Sequence, residues 1–142
     1  MNPFADNSSS NGEQVNQTGR ILVRVLDAHN CTGDLGIALF RDKHGFPGET
    51  EHAFRKGGLH EIGESNLYVF EEVPYGAYAV CVIHDEACCG ELHKNFFGIP
   101  KEGVGTSNNP QFFLGPPSFD SASFQLNSAE VEIEVHLKYL GG

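Results

Sequence analysis

Residues 73–85 read Val73-Pro-Tyr-Gly-Ala-Tyr-Ala-Val-Cys-Val-Ile-His-Asp85, and this stretch decides the fold. Its first four residues have the turn-forming types Pro, Tyr and Gly in succession. Ala77–His84 then reads as a strand that is apolar on both faces, with Val80 and Val82 on one side and Ala79, Cys81 and Ile83 on the other. A strand that is apolar on both faces is typical of the centre of a domain. We therefore expect a central, buried strand that ends at His84.

Other strand candidates follow at close spacing. Glu130–Tyr139 alternates most regularly, with Val131, Ile133, Val135 and Leu137 predicted inward. Further candidates are Arg20–Ala28, Asp34–Arg41, Leu67–Val73 and Ala122–Leu126. The turn residues at 30–33 predict that the first two of these pair as a hairpin. Residues 42–66 are expected to be irregular, with a helical turn at Thr50–Lys56.

These patterns predict an all-β fold. Short strands without a long helix favour a single β-sandwich of about seven strands. The inward apolar side chains of residues 131–139 are expected to face those of residues 77–83 across the core. A long irregular loop rich in glycine and phenylalanine follows the central strand. A loop of that length is usually functional or disordered, and its aromatic residues favour function.

The composition indicates how the chain is divided into domains and which classes of partner are not expected. Residues 1–19 are polar and rich in Asn and Ser, which predicts an N-terminal tail before one domain at residues 20–140. The net charge of −10, from 19 acidic and 9 basic side chains, repels phosphate backbones, so we expect no nucleic-acid partner. No apolar run approaches the roughly 20 residues that cross a bilayer. The first residues do not have the pattern of a signal peptide.

The tail suggests a way for copies of the protein to associate. A polar segment can add to the edge strand of a neighbouring copy, which would make this a self-assembling surface or filament subunit. The alternative is a disordered tail on a monomer.

The loop after the central strand carries the candidate site residues. Four side chains of metal-ligating types lie within ten positions, namely His84, Asp85, Glu86 and His93. Their spacing matches no standard zinc motif, and the alternative is that His84 and Asp85 hydrogen-bond the loop backbone. A candidate interaction face comprises Phe96, Phe97, Ser107, Asn108, Phe112 and Phe113, although the phenylalanines would equally cap the open end of the sandwich.

The cysteines divide into three in loops and one in a strand. Cys31 follows the first strand, whereas Cys88 and Cys89 follow the strand that ends at His84. If these strands run in the same direction, the two loops share one end of the sandwich, and Cys31 is predicted to pair with Cys88 or Cys89 in an exported protein. Cys81, in mid-strand, is predicted to be an inert core thiol.

No residue pattern indicates catalysis. Ser107 and Ser118 are candidate nucleophiles near the His84-Asp85 pair, but the chain has no Gly-x-Ser-x-Gly elbow and nothing places a nucleophile beside a base. We therefore expect a protein that is not an enzyme and has no cofactor. The alternative is a metal-binding protein or metal-dependent enzyme that uses a transition metal at the loop 84–93.

A series of short motifs runs in order from Gly19 to Leu140. They are Gly33 with Ile37-Ala-Leu-Phe40, Phe46-Pro47, Pro74-Tyr-Gly-Ala-Tyr-Ala-Val80, His84-Asp85, Gly90, Asn95, Gly98-Ile-Pro-Lys-Glu-Gly103, Ser107-Asn108 and Gly115-Pro-Pro-Ser-Phe119 with Ala122. At these positions the chain resembles the uncharacterised domain-of-unknown-function 2141 family. The resemblance implies a transthyretin-like (prealbumin-like) sandwich, an extracytoplasmic location, either periplasmic or secreted, and no assigned reaction.

The resemblance also bears on calcium and on catalysis. After His-Asp, the family continues with an oxygen-rich loop that resembles the start of a calcium-binding loop. Here Ala87, Cys89 and His93 occupy three of the ligand-like positions, so a tight calcium site is not expected. Hydroxyisourate hydrolases of the same fold end in Tyr-Arg-Gly-Ser, whereas this chain ends in Tyr139-Leu-Gly-Gly142, so we do not expect that activity. The expected function is a non-catalytic extracytoplasmic module that binds a partner or builds a surface structure through its loops or strand edges.

Overall fold

The computed structural model describes residues 17–28, 33–85, 103–110 and 117–139. Within these residues, the strands form two sheets that pack face to face. The first sheet has the order β4-β1-β8, with β1 at Thr18–Leu26, β4 at Ser65–Pro74 and β8 at Glu130–His136. The second sheet has the order β3-β2-β5-β6-β9, with β2 at Asp34–Phe40, β3 at Arg55–Leu59, β5 at Gly76–Asp85, β6 at Gly103–Thr106 and β9 at Lys138–Tyr139. A further strand, β7 at Phe124–Leu126, pairs with the first residues of β5.

The all-β sandwich is therefore confirmed, and its transthyretin-like topology stays a prediction. β5 is apolar on both faces because Val80 and Val82 pack in the core between the sheets, whereas Cys81 and Ile83 pack in a second apolar cluster on the other face. One short α-helix occurs among the described residues, α1 at Phe119–Ala122, and it precedes β7. Among the described residues, no helix combines the length and the apolar character needed to cross a membrane.

The core lies between the two sheets. Alternate residues of β1 and β5 are fully buried there, including Val23 of β1 and Val80 of β5. The predicted inward face of residues 131–139 is confirmed, because Val135 and Leu137 are buried in this cluster. Ile133 is only half-buried at the margin of the cluster, together with Val131.

The last predicted strand divides between the two sheets. β8 runs parallel to β1, whereas β9 runs antiparallel to β6, and the chain passes from one to the other at Leu137. The amide of Leu137 still donates a hydrogen bond of 3.0 Å to the carbonyl of Leu26. The 130–139 run thus covalently joins the first sheet to the second.

The predicted hairpin of the first two strands is wrong. β1 pairs with β4 and β8 in the first sheet, and β2 pairs with β3 and β5 in the second. The apolar stripe of β2 lies opposite that of β1 across the core, where each buries the other. A turn in the sequence predicts that the chain reverses, but it does not determine which sheet receives the next strand.

Three element boundaries also differ from prediction. β1 begins at Thr18, before the expected domain start at residue 20. The predicted helical turn at Thr50–Lys56 is a 3-10 turn over Thr50–His52, and β3 follows it where irregular chain was expected. β7 begins at Phe124, because the residues just before it form α1.

A second apolar cluster lies on the outer face of the second sheet. It contains Ala38, Phe40 and Cys81, and it is covered by Phe46 and Phe119. The rings of Phe40 and Phe46 meet edge to face at 5.1 Å, and those of Phe46 and Phe119 meet at 5.9 Å. The turn that carries Phe46 and the helix α1 therefore cover only one end of this face.

Candidate binding groove

A groove of about 250 Å³ lies on the outer face of the second sheet. Its floor is formed by the cross-strand pairs Gly36–Ile83 and Ala38–Cys81 of β2 and β5. Gly36 and Ala38 have little or no side chain, so the middle of the face is recessed. Thr50 contributes to the rim. The arrangement gives a shallow apolar channel along the strand direction.

The groove is charged at both ends. Asp34 and Asp85 face each other across β2 and β5 at one end. An Asp34 carboxylate oxygen lies 2.9 Å from Nδ1 of His60. Lys56 is paired with Ala38, which is four residues along β2 from Asp34 and therefore roughly 13 Å away.

The structure separates His84 from Asp85. His84 is fully buried on the inner face, where its Nδ1 lies 2.6 Å from the hydroxyl of Tyr139. Gly103 allows this contact, because a Cβ at that position would lie 2.5 Å from the Tyr139 ring. Successive residues of a strand point to opposite faces, so Asp85 points outward.

The two predicted ligands therefore do not converge on one point within β5. A metal ion at the loop 84–93 can use only one of them while the strand is intact. Glu86 and His93 lie outside the described residues. The predicted metal site at this loop thus stays a prediction, with either His84 or Asp85 as a ligand but not both.

The groove offers no reactive thiol at neutral pH. Burial raises the pKa of the Cys81 thiol to about 12, so Cys81 stays protonated and is a poor nucleophile. The predicted disulfide cysteines Cys31, Cys88 and Cys89 lie outside the described residues. Residue 33 is the first described position after the segment that holds Cys31, and residue 85 is the last one before the segment that holds Cys88. The pair Asp34–Asp85 places these two positions beside each other.

Ser107 has a structural role rather than a place on an interaction face. Its side chain is fully buried, and its hydroxyl donates a hydrogen bond of 2.5 Å to the carbonyl of Ala122. The same hydroxyl accepts the amide of Val80, while the Ser107 amide donates to the Val80 carbonyl, both at 3.0 Å. Ser107 thereby continues the pairing of β5 beyond β6 and connects it to the end of α1.

Asn108 is exposed, but its amide group also binds within the protein. It donates hydrogen bonds to the carbonyls of Ser121 and Ser123 at 3.2 and 2.8 Å, which holds the C-terminal end of α1. The remaining residues of the predicted interaction face, Phe96, Phe97, Phe112 and Phe113, lie outside the described residues. That face therefore stays a prediction for those four residues.

Side chains bind backbone groups at the edges of the first sheet. The Asn109 side chain donates to the carbonyl of Glu134 at 3.0 Å and accepts the amide of His136 at 2.8 Å. Arg55 donates to the carbonyls of Glu71 and Glu72 on β4, at 2.5 and 2.6 Å. These are the groups through which a sheet edge accepts another strand.

No motif in the sequence marks either contact, and the prediction of association through strand edges did not include them. The first 16 residues of the predicted tail lie outside the described residues, so association through the tail stays a prediction.

Comparison with known proteins identifies the family. The model of a family described as "Uncharacterized protein conserved in bacteria (DUF2141)" matches residues 23–134. The chain belongs to this family. The predicted membership is thus confirmed, over most of the range that carries the quoted motifs. No curated protein matches the chain.

The fold is also similar to a solved structure. The crystal structure of a fimbrial assembly protein from Parabacteroides distasonis ATCC 8503 superposes with a TM-score of 0.48 at 11% sequence identity. The match covers 87% of this chain and 53% of that protein, so this chain spans about half the length of its structural neighbour.

Proposed function

We propose that this protein is a non-catalytic, extracytoplasmic binding module whose groove takes an extended peptide segment that carries a lysine or arginine. The observation that carries the proposal is the pair of opposed carboxylates, Asp34 and Asp85, at the end of an apolar channel. The net charge of −10 favours a cationic partner over the whole surface. The extracytoplasmic location rests on the family resemblance.

The absence of catalysis is supported by the roles of the candidate reactive groups. Among the described residues, His84 contacts the Tyr139 hydroxyl in the protein interior, and Ser107 connects β5 to α1. The raised pKa of Cys81 keeps its thiol protonated. Each of these side chains is explained by packing or hydrogen bonding within the sandwich.

The dimensions of the groove suit a short extended segment. The methylene groups of a lysine or arginine side chain would lie on the floor at Gly36 and Ala38, with the cationic end at Asp34 and Asp85. Lys56 would contact an acidic group about four residues farther along the peptide, since an extended chain rises by about 3.3 Å per residue. Because the two aspartates lie at one end of the groove and Lys56 at the other, the peptide would bind in one direction only.

The proposal is tested by fluorescence anisotropy with a labelled peptide of the pattern Lys-Ala-Ala-Ala-Glu and a control peptide with both charges replaced by Gln. The Gly36→Val variant fills the groove, and a Cβ at this position has only the Ile83 carbonyl oxygen within 4 Å, at 3.9 Å, so the variant should fold. We expect binding to weaken by at least about tenfold, or about 1.4 kcal/mol. Gly63→Ala, which has open space around its Cβ and lies away from the groove lining, is the matched control.

A second pair of variants tests the acidic end. Asp34→Asn should weaken binding by roughly twofold to fivefold, the range expected for an exposed ion pair. Asp120→Asn removes the same charge from α1 and should leave binding unchanged. Equal peptide affinity in the wild type and Gly36→Val would refute binding in this groove. So would equal losses of affinity in Asp34→Asn and Asp120→Asn.

A further inference from the structure

Three metal-ligating side chains meet on one surface turn between β2 and β3, and a fourth lies beside them. Ligand atoms of Glu49, Glu51 and His52 all lie within 4.8 Å of one another. Nε2 of His52 is 3.6 Å from a carboxylate oxygen of Glu49. The ring of His44 lies beside that of His52, with centroids 4.1 Å apart. One imidazole and two carboxylates thus converge, and a second imidazole lies beside the first.

The backbone of this turn is held in place by its own hydrogen bonds. The amide of Glu49 donates to the Gly45 carbonyl at 2.8 Å, and that of His52 donates to the Glu49 carbonyl at 3.0 Å. Gly45 has a φ of +79°, and a Cβ there would lie 2.8 Å from Cβ of His52. His52 therefore packs directly on Gly45. Phe46 anchors the turn in the second apolar cluster. The ligating side chains thus project from a fixed backbone.

We propose that His44, Glu49, Glu51 and His52 form a binding site for a divalent first-row transition metal ion of the zinc class. Imidazole nitrogen and carboxylate oxygen are ligands of Zn²⁺ at about 2.0–2.2 Å. Two such ligands on a tetrahedral ion lie roughly 3.4 Å apart, so the separation of 3.6 Å between His52 and Glu49 already fits. The His44 ring, whose centroid is 4.1 Å from that of His52, is the nearest second imidazole for the same ion among the described residues.

The ligand types determine which ions the site prefers. Calcium and magnesium prefer sets of oxygen ligands, whereas the two imidazoles favour zinc, copper or nickel. All three residues of the tight cluster are exposed, so their side chains can rotate onto an ion without unpacking the protein. The net charge of −10 raises the local concentration of cations. The site lies outside the loop 84–93, where the sequence indicated a metal.

Calorimetric titration of the full chain with Zn²⁺, in the presence of a weak competing chelator, tests the site. We expect one ion per chain and no competition from excess Ca²⁺. Loss of an outer-shell partner of a metal typically costs roughly 10–100-fold in affinity, so removal of a direct ligand in His44→Ala or His52→Ala should cost at least about tenfold. His60→Ala and His136→Ala are matched controls, because each removes an exposed histidine that contacts an aspartate elsewhere. Both controls should bind Zn²⁺ as wild type does.

Two further variants distinguish this site from a metal site at the loop 84–93. Glu49→Gln keeps the size of the side chain and should weaken binding while the melting temperature without metal is unchanged. Loss of binding in His93→Ala with wild-type binding in His52→Ala would overturn the proposal. So would the absence of any Zn²⁺ affinity tighter than about 1 mM (−4.1 kcal/mol).

Discussion

Replacement of Asn109 tests how the edge of the first sheet is stabilised. The Asn109 side chain makes two hydrogen bonds to β8, one to the carbonyl of Glu134 and one from the amide of His136. Each contributes a net of about 0.5–1.5 kcal/mol to stability. Asn109 also has a φ of 48°, in the left-handed region, where a side chain with a Cβ costs about 1–2 kcal/mol. Asparagine is one of the residues that adopt this conformation most readily.

Two variants separate these contributions. Asn109→Gly loses both hydrogen bonds but tolerates the positive φ, so we expect it to lower the free energy of unfolding by about 1–3 kcal/mol. Asn109→Ala adds the backbone penalty and should be less stable than Asn109→Gly by about 1 kcal/mol. Urea denaturation followed by circular dichroism measures both values, with unchanged m-values as evidence of an unchanged fold. Wild-type stability in Asn109→Gly would refute the contribution of the hydrogen bonds, and equal stability of the two variants would refute the backbone contribution.

Other expected outcomes come from the structure and from the sequence. Gly105→Ala should lower the free energy of unfolding by about 1–3 kcal/mol in urea denaturation, because its Cβ would lie within 2.8 Å of β8. Gly36→Ala should raise it by about 0.5–1 kcal/mol, because its Cβ would make only an ordinary contact of 3.9 Å with the Ile83 carbonyl oxygen. Since burial raises the pKa of Cys81 from 9.0 to about 12, the unfolded state loses this proton first as the pH rises. Between pH 9 and about pH 12, the free energy of unfolding should therefore fall more steeply for the wild type than for Cys81→Ala, by about 1.4 kcal/mol per pH unit. Equal slopes for the two proteins would contradict this. Peptide mapping without reduction should find Cys31 bonded to Cys88 or Cys89 in exported protein, a bridge that typically contributes about 2–4 kcal/mol; four free thiols would count against it. Calorimetry should detect no calcium affinity of micromolar strength or tighter.

The sequence predicts best where one local pattern determines the environment. The alternation in residues 130–139 identifies the buried side chains Val135 and Leu137 because the period of a strand fixes which face each residue occupies. It does not show that the run divides at Leu137, since that depends on β1 and β6, which are distant in sequence. The hairpin of β1 and β2 is wrong for the same reason: partner choice is a property of the whole sandwich.

Elements with weak local signals are missed. β3 reads Arg-Lys-Gly-Gly-Leu, which has two glycines and two charges and little strand propensity. It is a strand because β2 offers it an edge and because the Tyr68 ring covers Gly57, where a Cβ would overlap the ring. The groove and the His44–His52 contact are likewise products of tertiary structure. His44 and His52 are eight positions apart, and only the turn around Gly45 brings their rings together.

The parallel pairing of β1 with β8 has a mechanical consequence. These strands lie side by side over seven residue pairs, from Arg20–Glu130 to Leu26–His136. A force that pulls the chain before β1 and the chain after β8 in opposite directions slides one strand along the other. All the hydrogen bonds between the strands then bear the load together, whereas an antiparallel pair pulled from one end opens one bond at a time. The ion pairs Arg20–Glu130 and Arg24–Glu132 cross the same line, at 2.9 and 2.8 Å. This geometry should therefore raise the force that is needed to separate β1 from β8.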